Sequence, residues 1–174
     1  MMRLKLTPET PRTLSQEWRA GEGGYLRQRR AVVALSLAAA GAMGMIGLYQ
    51  TGIIRHLPEP PVPFFNADRI DASAEAYSRF STPDALLGLG SYAATAALAA
   101  MGGAHRAREA PWLPLALPAK VAFDVGQAAR LVAQQWRGYH QFCFWCLTAA
   151  ASTCIAAPLV IAEARAAVRM LWGR

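Results

Sequence analysis

The sequence predicts an all-α integral membrane protein built as a four-helix bundle, and three observations carry this prediction. Hydrophobic residues make up 54% of the 174-residue chain and charged residues only 17%, whereas a soluble domain usually carries about 25% charge. Charge is absent from three long segments, at 31–54, 85–104 and 141–162. Each segment is long enough to cross, as a helix, a hydrocarbon core about 30 Å thick. The length suggests one domain.

A soluble, alanine-rich helical bundle is the alternative fold. It is disfavoured because buried helices of soluble proteins seldom stay uncharged over three segments of this length. The abundance of Ala and Gly also suits close helix contacts in lipid, where packing replaces the hydrophobic drive. We therefore expect a transmembrane domain over 31–165, with spans at about 31–54, 83–104, 117–137 and 141–162.

The third of these spans is the weakest because it carries charge. Pro118 suits a helix first turn, and the polar residues that follow are three or four positions apart, so they share one helix face. They are Lys120, Asp124, Gln127, Arg130, Gln134 and Arg137. Lys120 and Asp124 lie one turn apart and can pair. The alternative is that this segment is an amphipathic helix lying in the headgroup region. A membrane span is preferred because only then does the helix that follows have an orientation consistent with the rest of the chain.

The basic residues predict the orientation. With four spans, the clusters before residue 31, between spans two and three, and after span four share one side, and basic residues favour the cytoplasm. They are Arg3, Lys5, Arg12, Arg19, Arg27, Arg29, Arg30, Arg106, Arg108, Arg165, Arg169 and Arg174. We expect a multi-pass protein of a bacterial inner membrane with cytoplasmic tails at 1–30 and 166–174. The net charge of +7 then reflects topology, not nucleic-acid binding.

The N-terminal tail has two further expected properties. Residues 1–30 read as poorly ordered. They do not form a cleavable signal peptide, because the apolar run that follows is too long and no small-residue cleavage site stands out.

The loop at 55–81 is expected on the extracytoplasmic side. Its stretch "LPEPPVPFF" predicts an extended, semi-rigid chain, and "DASAEAYSRF" predicts about two helical turns capped by Asp71. The loop aromatics suit either a lid over the mouth of the bundle or an anchor in the lipid interface. They are Phe64, Phe65, Tyr77 and Phe80.

All three cysteines lie in "QFCFWCLTAAASTC". Cys143 and Cys146 form a C-x-x-C at the start of the fourth span, facing the compartment where disulfide chemistry belongs. A helix first turn favours a thiolate, and sulfurs three residues apart can form a strained, reducible disulfide suited to exchange. Cys154 lies about 12 Å further along the helix and reads as a buried apolar filler.

The dithiol has two other interpretations. A C-x-x-C can be half of a zinc site, but the sequence has no second cysteine pair and offers only His140 nearby, so no metal is predicted. An inert cysteine pair in a helical core remains an alternative.

Two segments resemble the vitamin K epoxide reductase family. "RGYHQFCFWCLTAAAST" resembles its active-site segment, and "STPDALLGLGSYAATAALA" (81–99) resembles its second helix. The resemblance covers about 31–165. It implies a four-helix membrane bundle that binds a quinone, either ubiquinone or menaquinone, beside the C-x-x-C. Cys143 and Cys146 would form the active dithiol, with Cys146 nearer the quinone. An extracytoplasmic thioredoxin-like thiol protein would supply the electrons.

Two further residues are candidates for quinone binding. The resemblance places Asp84 where the family can have a polar contact to the quinone carbonyl. Asp84 is equally well a first-turn carboxylate, with Thr82 as N-cap and Pro83 at the first helical position. Arg130 would stabilise charge developing on the quinone or pair within the bundle.

One departure from the family leaves catalysis open. The family normally carries a second cysteine pair in the long loop to relay electrons, and 55–81 contains no cysteine. Either a partner's thiols reach Cys143 directly, or the chain is a non-catalytic accessory or scaffold subunit that binds other membrane subunits. A small transporter has little support because no repeat is visible.

Overall fold

The computed structural model describes residues 10–172, and over that range the secondary structure is all helical, as predicted, with no strand. The elements are α1 (Pro11–Ala20), α2 (Leu26–Gln50), α3 (Ala67–Asp71), a 3₁₀ helix (Ala74–Tyr77), α4 (Asp84–Ala100), α5 (Arg106–Glu109), α6 (Leu113–Tyr139), α7 (Phe144–Leu159) and α8 (Ile161–Trp172).

The long helices pack in a closed order. Helix α2 contacts α4 and α7, and α6 contacts α7 and α4. Small residues of α2, including Ala39 and Ala42, are buried at these contacts, which lets the helices approach closely. The buried cluster around Ile46 also contains Cys143, so the dithiol belongs to the packed interior.

Two helical stretches are long and apolar enough to cross a membrane, Leu26–Gln50 and Phe144–Trp172, and α4 is apolar but shorter. The second stretch is interrupted at Val160, between α7 and α8. Pro158 explains the break, because proline near the end of a helix cannot donate the next backbone hydrogen bond.

The N-terminal region differs from the expectation of poor order. Residues 11–20 form α1, which begins at a reciprocal capping pair of Thr10 and Thr13 and ends at Gly21 in a left-handed conformation. Helix α2 begins at Leu26, five positions before the predicted start of the first span. Arg3, Lys5 and Arg174, which belong to the basic clusters predicted to be cytoplasmic, lie outside the described residues.

Two arginines secure the C-terminal end of α4. Arg29 is 2% exposed and donates to the carbonyls of Ala99, Met101, Gly102 and Gly103 at 2.7–2.9 Å. Arg106 is 1% exposed, donates to the carbonyls of Leu98 and Met101, and bonds both oxygens of Glu163 at 2.8 and 2.6 Å. The last carbonyls of a helix lack intrahelical partners, and guanidinium groups supply five donors in a fixed fork.

The N-terminal part of the polar face of α6, at Lys120 and Asp124, contacts α4. Lys120 Nζ lies 2.6 Å from Asp124 Oδ1, so the predicted pair is confirmed. The hydroxyls of Ser91 and Thr95 donate to the buried Asp124 carboxylate at 2.9 and 2.8 Å. Lys120 and Asp124 are thus paired within the protein, as the cost of burying a charge requires.

The loop at 55–81 is fastened over the α6–α7 turn. Asn66 N–H donates to the Phe142 carbonyl at 3.0 Å, and Phe142 N–H donates to the Phe64 carbonyl at 2.8 Å. The Trp145 indole N–H donates to the Pro58 carbonyl at 2.8 Å. These bonds hold the loop against the first turn of α7, where the dithiol lies.

The helix expected over "DASAEAYSRF" is wrong in its cap and extent. Helix α3 ends at Asp71 instead of beginning there, and Asn66 caps it by accepting from Arg69 N–H at 3.0 Å. A separate 3₁₀ helix follows at Ala74–Tyr77. The Asp71 carboxylate is therefore available for other contacts.

Candidate active site

Cys143 is the N-cap residue of α7. Its Sγ accepts the N–H of Cys146 at 3.2 Å, a position at which Ser, Thr, Asp or Asn usually supplies the acceptor. Its own N–H donates to Gln135 Oε1 on α6 at 3.1 Å. Cys143 is 0% exposed, so the helix start, the neighbouring helix and the covering loop together enclose this sulfur.

Asp71 is the site residue that the sequence interpretation missed. It is 4% exposed, and its Oδ1 accepts from the Cys146 thiol at 3.8 Å. The Sγ atoms of Cys143 and Cys146 and a carboxylate oxygen of Asp71 all lie within 4.8 Å of one another. Within residues 10–172, Asp71 Oδ2 stands out as a buried side-chain oxygen without a hydrogen-bond partner. The sequence shows Asp71 only as a carboxylate in the loop, and the prediction that it caps a helix gave it no role at the dithiol.

The environment of Asp71 disfavours its charge. Burial is the largest cause, and it raises the pKa of Asp71 from its usual 3.8 to about 7. The nearby carboxylates of Asp84 and Glu59 raise it further, whereas hydrogen bonds from the two thiols act in the opposite direction. This carboxyl therefore exchanges its proton near neutral pH.

Gln50, the last residue of α2, links Asp71 to Asp84. Its Nε2 donates to Asp84 Oδ1 at 2.8 Å and to the Asp71 backbone carbonyl at 3.3 Å. Its Oε1 accepts from Ala85 N–H at 3.2 Å. One amide thereby joins α2, α3 and the start of α4.

Asp84 occupies the first position of α4, as the helix-start interpretation expected, but the predicted Thr82 cap is wrong. Pro83 is the residue at the cap position, and α4 has no side-chain cap there. The Thr82 hydroxyl donates to the Phe80 carbonyl. Because Pro83 is the cap residue and not the first helical residue, α4 begins at Asp84, one residue later than predicted.

A cavity of about 450 Å³ opens beside the dithiol. Cys146, Asp84 and Arg130, three of the four predicted site residues, line it together with Asp71 and Tyr92. Cys143 is not among its lining residues and lies behind Cys146. The volume falls within the range of about 300–1,000 Å³ typical of small-molecule sites.

Cys154 lies apart from the group formed by Asp71, Cys143 and Cys146. Cys154 is exposed, so the prediction that it is buried is wrong; Ser152, Thr153 and Ala156 form the inward face of α7 instead. Within residues 10–172, Asp71, Cys143 and Cys146 form a close group of three potential ligands, whereas a structural zinc site has four. Its contacts suit thiol chemistry with an acid–base partner.

Fold and site together define a class: all-helical chains with a C-x-x-C at the start of an apolar helix, beside a small-molecule cavity. The sequence model of the vitamin K epoxide reductase family matches residues 30–161, and the chain belongs to that family. Members are membrane-associated oxidoreductases that use a quinone and a thiol redox system. No curated protein and no solved structure was found to match the chain.

Proposed function

We propose that this protein is a membrane thiol–quinone oxidoreductase in which Cys143 and Cys146 cycle between dithiol and disulfide. The observation that carries the proposal is the unequal placement of the two sulfurs: Cys146 lines the cavity, while Cys143 is enclosed beneath the loop. One sulfur thus faces a bound acceptor, and the other lies within reach to form the disulfide.

The cavity residues suit a quinone, either ubiquinone or menaquinone. A quinone ring is apolar and carries two carbonyl oxygens that accept hydrogen bonds. The wall offers apolar contacts from Met43, Ile46 and Leu87, and Tyr92 and Arg130 bring donor groups to it. Asp71, whose buried Oδ2 has no hydrogen-bond partner, also lines this cavity.

In the proposed mechanism each side chain has a distinct part. When bound, a quinone would supply a two-electron acceptor for conversion of the dithiol to the disulfide. Cys146 Sγ is the sulfur beside the acceptor, and Cys143 Sγ completes the disulfide. Arg130 and Tyr92 orient the acceptor by donating to its oxygens, and the loop keeps bulk water from the sulfurs.

The proposed topology has four spans with both termini in the cytoplasm of a bacterial inner membrane. The length of α2 suits one of these spans, because Arg29 and Gln50 lie at its opposite ends, about 30 Å apart at 1.5 Å per residue. That separation equals the thickness of a hydrocarbon core. The buried arginines then belong to the cytoplasmic end and the dithiol to the extracytoplasmic rim.

The electron donor is proposed to be an extracytoplasmic thioredoxin-like thiol protein, as in the family generally. With no cysteine in 55–81 and Cys143 fully covered, the donor must reach Cys143 after the loop is displaced. The same two facts favour a second candidate function, that of a non-catalytic accessory or scaffold subunit of a larger membrane complex.

A test of both candidates uses protein purified in detergent, dithiothreitol as donor and a short-chain ubiquinone or menaquinone analogue as acceptor. We expect quinone-dependent thiol oxidation that Cys143→Ser and Cys146→Ser abolish and that the matched control Cys154→Ser retains. Absence of quinone-dependent oxidation in the wild type, combined with stable co-purification of other membrane subunits, would establish the accessory role instead.

A further inference from the structure

We propose that Asp71 is the catalytic proton acceptor of the dithiol, taking the proton of the Cys146 thiol as that sulfur becomes reactive. This inference rests on the proposed function and deepens it. It assigns acid–base chemistry to a loop residue that neither the C-x-x-C nor the quinone contacts identify.

The first support is the geometry of the pair. Cys146 Sγ donates to Asp71 Oδ1 at 3.8 Å, and the carboxylate lies within 4.8 Å of both sulfurs. Asp71 also lines the cavity beside Cys146. A general base must be within hydrogen-bond reach of the proton that it removes, and Asp71 meets this condition.

The second support is the unpartnered oxygen. Asp71 Oδ2 is buried and has no hydrogen-bond partner, although buried polar atoms are nearly always paired. Leaving such an atom unpaired is energetically unfavourable. A proton on this carboxyl removes the uncompensated charge, so the site is built to hold a proton and to release it.

The third support is the electrostatic surroundings. The titratable groups that face Asp71 are acids from the packed elements and the loop: Tyr49 on α2, Glu59 in the loop, Asp84 on α4, and Cys143 and Cys146 on α7. Negative charge on any of them favours the protonated form of Asp71. Burial acts in the same direction, and the resulting pKa of about 7 is near the optimum for a general base at neutral pH.

The dithiol, with Cys143 buried and Cys146 partly buried, needs such an acceptor. Desolvation disfavours a charged thiolate, and only the thiolate is an effective nucleophile. Asp71 supplies a local base at a point where bulk water is excluded by the loop. No other described carboxylate hydrogen-bonds to either sulfur.

The proposed reaction balances. Two S–H bonds break and one S–S bond forms, and the electron pair released reduces a quinone to hydroquinone with two protons. Asp71 takes the first proton from Cys146 and passes it to the cavity side. The carboxylate so freed takes the second proton from Cys143 when that sulfur bonds to Cys146.

The test measures thiol reactivity without quinone, so its result does not depend on turnover. The rate of Cys146 alkylation by iodoacetamide is followed by mass spectrometry from pH 5 to 10 in a Cys154→Ser background. The variants are Asp71→Asn, the conservative Asp71→Glu, and Asp68→Asn as a matched control from the same helix. Asp68 bonds to the Leu57 N–H and to His56, not to a cysteine. Thermal unfolding confirms that each variant is folded.

We expect the parent profile to show an inflection near pH 7. Asp71→Asn removes this inflection and lowers the rate at pH 7 by about a hundredfold or more, as expected for loss of a general base. Asp71→Glu restores the inflection, and Asp68→Asn leaves the profile unchanged. An Asp71→Asn profile that keeps the neutral inflection overturns the inference.

Quinone turnover separates this inference from the proposed function. Loss of turnover in the cysteine variants with unchanged turnover in Asp71→Asn overturns the role of Asp71 and leaves the oxidoreductase standing. If no form of the protein reduces a quinone but the neutral inflection still depends on Asp71, the oxidoreductase proposal fails and the proton-accepting pair stands.

Discussion

The indole nitrogen of Trp145 donates a hydrogen bond to the carbonyl of Pro58 at 2.8 Å, so a residue inside the C-x-x-C holds the cysteine-free loop in place. Trp145 also packs edge-to-face on Phe144, with ring centroids 5.5 Å apart. The dithiol and its cover are therefore joined through one side chain. Any donor that reaches Cys143 must loosen this contact.

Replacing Trp145 by Phe should make Cys143 more accessible. The substitution keeps an aromatic ring but removes the donor, and a net hydrogen bond is worth about 1 kcal/mol, equivalent to about a fivefold change in an opening equilibrium. We expect Cys143 alkylation to rise by up to about that factor. Trp112→Phe, at the far end of α6, is the control and should leave the rate unaltered. Equal rates in wild type and Trp145→Phe would show that the loop opens elsewhere.

The stability of the wild type should fall as pH rises toward neutrality. In the folded state the pKa of Asp71 is about 7, and its usual value is 3.8. Between these values the folded state binds more protons than the unfolded state, so raising the pH favours unfolding. From pH 5 to 8 we expect the wild type to lose about 3 kcal/mol relative to Asp71→Asn. Thermal unfolding in detergent across that range is the measurement, and parallel curves for the two proteins would contradict the prediction.

Glu163→Gln should destabilise the end of the bundle opposite the dithiol. Arg106 and Glu163 are both buried and joined by two hydrogen bonds, and removing one partner of such a pair costs about 3–5 kcal/mol. The exposed Glu109 offers the same substitution as a control, and Glu109→Gln should change stability by less than about 0.5 kcal/mol. The measurement is the thermal midpoint. Similar midpoints for the two variants would mean that carbonyl contacts alone hold Arg106.

Gly88→Ala should disturb the contact between α2 and α4, and Gly90→Ala should not. A Cβ at Gly88 would lie 2.8 Å from Met43 Sδ, whereas one at Gly90 would meet no atom within 4 Å. Overpacking costs about 1–3 kcal/mol, and an open helical Gly→Ala change gains about 0.5–1 kcal/mol. We expect opposite shifts of the thermal midpoint. Stabilisation of both variants would show that Met43 moves aside freely.

The helical class and the position of the dithiol were predictable because they depend on local patterns. An uncharged run of about twenty residues predicts a long apolar helix, and Cys143 and Cys146 lie at the start of one. The three- and four-residue spacing of polar groups on α6 correctly predicted the Lys120–Asp124 pair. Such signals need no knowledge of tertiary contacts.

Other features depend on tertiary contacts and were missed for that reason. Asp71 was assigned to a helix cap because capping is a local preference, whereas its contact with Cys146 joins residues 75 positions apart. The outward position of Cys154 depends on how α7 is rotated within the bundle. Arg29 and Arg106 were interpreted as topology signals, but each is folded inward onto carbonyls, which a count of basic residues does not reveal.

The arginine contacts at the end of α4 have a consequence for the bilayer. Helix α4 has 17 residues, about 26 Å at 1.5 Å per residue, which is shorter than a typical hydrocarbon core. Irregular backbone is tolerated at membrane depth only where protein satisfies its polar groups. Arg29 and Arg106 do so for five carbonyls, those of Leu98, Ala99, Met101, Gly102 and Gly103. In the proposed arrangement, α4 is shorter than the hydrocarbon core, and the guanidinium groups satisfy the backbone carbonyls at its end that would otherwise face lipid. The bilayer then need not become thinner around α4, so the protein can reside in membranes thicker than the length of this helix.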